Sequence, residues 1–164
     1  MASTDRARPL VPFVSIDPGV DYLAAAWWDG GGVALTDRGL SLRSMQVRAA
    51  QLIKRHDWGK VHFGPGYDLV IIERPQIYRH GKAKTKDVEG LLIASGEIAS
   101  HFKDVVWYRP AQWKGQQPKP AHQKKIKDAL SEIELQVLQG FAKKELVHIW
   151  DAVGLGLYHL GRLT

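Results

Sequence analysis

Cysteine is absent from the 164-residue chain, which excludes disulfide staples and thiolate metal sites and fits a reducing compartment. Long apolar runs are absent too. The strongest, Tyr22 to Trp28, is far short of the roughly 18 residues a membrane span needs. There are no internal repeats or low-complexity segments, so solenoid architectures fall away. The polar start, Met1 to Pro9, has no apolar block or small-residue cleavage site, and a secretion signal is not expected there. Residues 1–10 are expected to be a flexible tail and 11–164 a single domain, because 45% hydrophobic content at this length supports one covered core.

Acid is scarce in two places. Lysine and arginine outnumber aspartate and glutamate by 23 to 17, giving a net charge of +6 that favours polyanionic partners. Between Glu73 and Asp87 stand Arg74, Arg79, Lys82, Lys84 and Lys86 with no carboxylate. From Arg109 to Lys127 a second acid-free block holds Arg109, Lys114, Lys119, Lys124, Lys125 and Lys127, interleaved with Trp113 and glutamines. Solvated loops account for such blocks in isolation; two of them in one chain point to nucleic-acid contact.

The order of elements begins with strands. Pro12 to Ile16 is apolar and ends in the turn former Asp17-Pro18-Gly19, and Tyr22 to Trp28 resumes. Asp29-Gly30-Gly31-Gly32 reads as a hairpin turn and Val33 to Thr36 as a third strand. Leu42, Met45, Ala49, Leu52 and Ile53 then recur at helical spacing, with Ser41 as a cap. Leu69 to Ile72 is a continuous apolar run, the mark of a central strand, and it stops at Glu73-Arg74-Pro75. A helix follows, with Val88, Leu91, Leu92, Ser95, Ile98, Ala99 and Phe102 on one face and Gly90 and Gly96 permitting close approach. Val105 to Tyr108 is a fifth strand. The remainder reads as helical, with Pro120 at a helix start, a break near Gly140 and a last helix from about Lys143 to Leu160. Trp27, Trp28, Trp58, Trp107, Trp113 and Trp150 read mostly as core by pattern, while Trp113, standing among cations, can either stack a base or pack under the loop.

A crossover through the first helix would lay the fourth strand parallel to the first, aligning their ends. Asp17 and Glu73 would then share one rim, which is where open sheets bind ligands. In the last helix His148 and Asp151 are three residues apart, off the apolar face, and Asp151 can join that rim; Gly154 and Gly156 remove side chains that would hold the helix off the sheet. Carboxylates gathered at one point repel and lose hydration unless a hard divalent cation sits among them. Oxygen donors favour magnesium or manganese, and a pair of such ions suits phosphodiester hydrolysis.

These motifs together resemble the RuvC-type Holliday junction resolvases of the RNase H-like superfamily. The resemblance rests on Ile16-Asp17-Pro18-Gly19, Ile71-Ile72-Glu73-Arg74-Pro75 and His148-Ile149-Trp150-Asp151-Ala152, with Pro110-Ala111-Gln112-Trp113-Lys114 before the basic stretch, and spans Val14 to Leu160. It implies an α/β, RNase H-like fold: a five-stranded mixed sheet, strands 1–3 antiparallel and 4–5 parallel, flanked by helices. It implies Asp17, Glu73, His148 and Asp151 as catalytic and metal-binding residues for two Mg2+ or Mn2+ ions. It also implies a homodimer that nicks opposed strands of four-way DNA junctions in recombination and repair, in a bacterial or phage-infected cytoplasm, with no membrane contact; a helicase or branch-migration partner is not readable from the residues. Candidate DNA contacts are Arg74, Tyr78, Arg79, Lys82, Lys84, Lys86, Trp113, Lys114, Lys119 and Lys124. The chain departs from the family in the loop after the glutamate, where Arg74-Pro75-Gln76-Ile77-Tyr78 stands in place of an aromatic wedge and Tyr78 is the candidate substitute. Two alternatives stay open: a nuclease acting on RNA-containing substrates, and a catalytically silent branched-DNA binding protein. Actin-like kinases also end an early strand in Asp-x-Gly, but their further glycine-rich phosphate loops are missing here.

Overall fold

The computed structural model describes residues 11–30, 45–55, 57, 63–76 and 85–163. The expected tail, the Val33 to Thr36 strand, Gly31, Gly32, Ser41, Leu42 and Trp58 lie outside the described residues. Five strands, β1 (Phe13–Asp17), β2 (Tyr22–Asp29), β3 (Gln46–Lys54), β4 (Leu69–Glu73) and β5 (Asp104–Tyr108), form one sheet in the order β3-β2-β1-β4-β5. Neighbours β1–β2 and β2–β3 run antiparallel, while β1–β4 and β4–β5 run parallel. The helices are α1 (Thr85–Ala99), α2 (Pro110–Trp113), α3 (Lys119–Ala129), α4 (Glu132–Val137) and α5 (Lys143–His159). The expected five-stranded mixed sheet with flanking helices is the observed one. Among the described residues no helix is long and apolar enough to cross a membrane.

Strand alternation sends side chains to two layers. Val14, Ile16, Val70 and Ile72 pack with Ala94 and Ile98 of α1, whereas Phe13 and Ile71 pack with Ile149, Val153 and Leu157 of α5. Covered on both faces, β1 and β4 can be continuously apolar, which is why they are legible as central strands.

The helix expected across Leu42 to Ile53 is corrected by the structure: Gln46–Lys54 is β3. Trp27 pairs with Ala49 and Trp28 with Val47, so Arg48 is an extra residue that bulges from the strand. The bulge breaks the two-residue alternation: Val47, Ala50 and Leu52 reach the α5 side while Ala49 and Ile53 reach the α1 side. That spacing imitates a helix. Among the described residues no α-helix separates β3 from β4, yet β4 lies parallel to β1 as expected. Two details of α1 also differ. Leu92 is 46% exposed rather than on the buried face, and a Cβ on Gly96 would meet nothing within 4 Å.

β3 is an edge strand, and a buried ion pair fastens its start. Glu134, fully buried on α4, takes Arg162 Nη1 and Nη2 on its two carboxylate oxygens at 2.7 Å each and accepts the Val47 N–H at 3.2 Å. Arg162 also donates to the carbonyls of Met45 at 3.1 Å and Ala129 at 2.9 Å. Burial alone would push the Glu134 carboxyl up; bonds from Arg162 and Ser131, the Arg162 charge and the Val47 N–H outweigh it and hold the group below its ordinary 4.5. Removing one partner of such a pair leaves a bare buried charge, so Arg162→Ala is expected to cost about 3–5 kcal/mol in urea unfolding. Because the folded value is depressed, Glu134 contributes full stability above the ordinary glutamate range, and this is lost as pH falls through the folded value. Arg162→Ala is expected to flatten that acid limb; an unchanged midpoint and acid limb would show that the pair holds nothing.

Candidate active site

β1 ends at Asp17 and β4 at Glu73, and the register of Ile16 with Ile72 brings both carboxylates to one rim. The turn after Asp17 requires Gly19, since a Cβ there would collide with the Tyr22 carbonyl oxygen. Asp151 is brought in by α5. One residue beyond it, the Ala152 carbonyl accepts a hydrogen bond from the buried Ser15 hydroxyl at 2.7 Å, and Ser15 in turn accepts one from the Trp28 indole at 2.8 Å. Gly156 completes the seat, because a Cβ at that position would strike the Trp28 ring. Gly154 acts elsewhere than expected: its missing side chain makes room for Ile126 of α3 and for Trp113, whose Cζ3 would lie 2.8 Å from a Cβ.

One ammonium joins the acids. Lys114 Nζ lies 2.9 Å from Glu73 Oε2 and 3.4 Å from Asp151 Oδ2. Trp113 Nε1 donates to the same Glu73 oxygen at 2.9 Å. His148 Nδ1 stands 3.9 Å from Asp17 Oδ2, too far for a hydrogen bond and an ion pair only when the imidazole is protonated, with its side chain 55% exposed. Glu73 and Asp151 are both pushed up from their ordinary values by burial, with the Asp17 charge acting in the same direction and Lys114 against it. On Lys114 burial works downward, but the attraction of Glu73, Asp151 and Asp17 prevails and pushes it up. His148 is raised by its polar contact with Asp17, against burial and Lys119.

The remaining expected residues divide. Arg74, Lys119 and Lys124 are exposed, and Lys124 is paired with Asp128 at 2.6 Å on the surface of α3. Tyr78, Arg79, Lys82 and Lys84 lie outside the described residues, as does the side chain of Lys86. Of the two roles open to Trp113, the structure has the packed one and not the DNA contact: at 6% exposure, with its ring 5.1 Å from that of His122, it is buried and donates its indole N–H to Glu73. His122 is buried with Nε2 unpartnered among the described residues, and burial first, then Lys114 and Lys125, push its imidazole down. The sequence assigns Lys114 to DNA phosphate rather than to Glu73 and Asp151, and assigns Ser15 no part. A serine inside the apolar strand Phe13-Val14-Ser15-Ile16 was the available signal for the second; nothing local pointed Lys114 inward.

Among the described residues no three His, Asp or Glu side chains are already arranged as a metal cage. The donor chemistry nevertheless fits a hard divalent ion: Glu73 and Asp151 share one ammonium, Asp17 ends the neighbouring strand at the same rim, and burial, joined by the Asp17 charge, keeps both carboxyls raised in spite of Lys114. The shared field can be measured without any metal. Asp17→Asn is expected to move the NMR titrations of Glu73 and Asp151 downward, because it removes a charge that raises both. Two unshifted titrations would mean that the acids do not sense one another.

No protein-family model and no curated protein sequence matches the chain. Its fold is similar to that of Thermus thermophilus RuvC, with 18% identity, a TM-score of 0.56, and coverage of 90% of this chain and 92% of that one. A structure of T. thermophilus RuvC in complex with a Holliday junction substrate is similar over 92% of both chains, with 15% identity and a TM-score of 0.50. The fowlpox virus Holliday junction resolvase is similar over 93% of this chain and 99% of that chain, with 15% identity and a TM-score of 0.54. Strand order, strand direction and helix placement together give this chain the RNase H-like fold in the arrangement seen in RuvC.

Proposed function

We propose that this chain is a divalent-metal-dependent endonuclease that resolves four-way DNA junctions. The observation that carries the reading is the convergence at the carboxyl rim of the sheet of Glu73 and Asp151 on the Lys114 ammonium, with Asp17 at the end of the neighbouring strand beside His148. The fold likeness supports it, since the similar proteins include RuvC solved on a Holliday junction and a viral junction resolvase.

Asp17, Glu73 and Asp151 would hold the Mg2+ or Mn2+ ions, two per site, with His148 as a further ligand or as the group that orients the attacking water. Ions bound there supply activation of water and stabilisation of the departing oxygen in an in-line displacement. Trp113 fixes the Glu73 oxygen by its indole N–H, and Ser15 fixes the rotation of α5 on which Asp151 depends. Exposed Arg74, Lys119 and Lys124, with the loop cations Arg79, Lys82, Lys84 and Lys86 and the ring of Tyr78, would bind the DNA arms. Two opposed strands call for two sites, hence a homodimer. Exposed Leu92 and Ile93 on α1, at 46% and 63%, beside Gly96, offer an apolar surface for a second copy.

Asp17→Asn and Asp151→Asn are each expected to lower junction cleavage in Mg2+ or Mn2+ by about 100-fold or more, while junction affinity is retained. Wild-type rates in both variants would place the chemistry elsewhere. Equal cutting of linear duplex would remove junction selectivity, and cutting confined to an RNA–DNA hybrid would turn the reading to RNA-containing substrates. A silent binding protein would cut none of these. For the dimer, Ile93→Asp is expected to convert a two-chain species to a one-chain species in sedimentation; a wild-type monomer at working concentration would contradict it.

A further inference from the structure

Of the six cations between Arg109 and Lys127, Lys114 alone is not exposed. It caps α2, its amide donating to the Pro110 carbonyl at 2.8 Å, and its ammonium lies 4.6 Å from the centroid of the Trp113 ring. From there it reaches Glu73 Oε2 and Asp151 Oδ2 together. Burial, joined by the Asp17 charge, pushes both of these carboxyls up, and the lysine is the counter-charge beside them. Its side chain is still 27% exposed, which leaves the flexible stem a way out toward solvent.

An ammonium on Glu73 Oε2 and Asp151 Oδ2 competes with a divalent ion for the same pair of carboxylates. Like charges about 4 Å apart repel strongly at the partly buried dielectric of such a site. We infer that Lys114 is a tethered cation exchanged for the divalent ion: it bridges Glu73 and Asp151 beforehand, then swings outward and gives its charge to a DNA phosphate. The inference rests on the metal-binding reading above. Its consequence is thermodynamic. In the absence of DNA the ion must displace Lys114, which weakens ion binding; with a phosphate present the released ammonium gains a partner, so ion and DNA strengthen one another. By linkage the effect is reciprocal.

Mn2+ binding by the full-length chain, followed by electron paramagnetic resonance, tests this without reference to cleavage. Lys114→Met is expected to bind Mn2+ about tenfold more tightly than wild type without DNA, whereas Lys114→Arg, which keeps the charge, is not. On adding a four-way junction with cleavage-resistant phosphorothioate linkages, wild type should gain Mn2+ affinity and Lys114→Met should gain less. Equal or weaker Mn2+ binding by Lys114→Met would overturn the exchange while leaving the metal site standing. If wild type and both variants all fail to bind Mn2+, the metal-binding reading fails and the exchange with it. A measurement on the unaltered chain guards against a misfolded variant: Mg2+ should move the Lys114 side-chain NMR signals toward those of an exposed lysine, and unmoved signals in an Mg2+-loaded chain would also overturn the exchange.

Discussion

The hydroxyl of Ser15, wholly buried between sheet and helix, gives its proton to the Ala152 carbonyl and accepts that of the Trp28 indole. A buried polar group left without such partners costs about 1–3 kcal/mol, so α5 is held at one rotation and one height. Gly156 beneath the same indole enforces the distance. A slip of one residue would turn the helix by about 100° and carry Asp151 off the rim. The meeting of charges at the rim therefore depends on a neutral contact two residues upstream of Asp17. The acids repel one another and could not assemble the helix by themselves; packing assembles it and obliges them to meet.

Two buried acidic environments in one chain show how scaffold and site part company. Glu134 is surrounded by donors on both oxygens, and its carboxyl is held down in spite of complete burial. Glu73 and Asp151 are less buried but sit beside other acids with a single ammonium among them, and their carboxyls are pushed up. Burial alone gives the same sign in both places. The difference lies in the count of opposing charges and donors: complete around Glu134, deficient at the rim. A deficit of this kind is what the proposed cation site would require, whereas completion around Glu134 serves the scaffold.

Much of the fold was legible, because β1 and β4 are apolar segments, β4 without a break, that end abruptly in an acid, and because the last helix keeps its periodicity. The rim positions of Asp17 and Glu73 followed from those two strand ends. β3 was misread for a definite reason: the bulge at Arg48 inserts one residue, and an alternating pattern with an insertion acquires helical spacing. The capping box of α4, Ser131-x-x-Glu134, was readable from sequence, but the reach of Arg162 to that glutamate from 28 residues away was not. Lys114 was the hardest to read. It stands in a run of cations whose other members face solvent, and only the short α2 with its buried Trp113 turns this one inward. Sequence pattern reports burial through hydrophobicity, and a lysine carries no such mark.

The charge layout has a consequence for any polyanion approaching this rim. The chain is positive overall, with a net charge of +6, yet its carboxyl rim gathers three acids against Lys114 and the raised His148. Attraction over the Debye length is set by the surrounding cations, whereas a phosphate drawn to the centre meets local repulsion unless that centre is neutralised. On the proposed reading, approach and engagement are governed by different residues: exposed Arg74 and Lys119 would draw a backbone in, and the balance among Asp17, Glu73, Asp151 and Lys114 would decide whether a phosphate settles between them. Affinity for the polyanion and access to the rim would then vary independently.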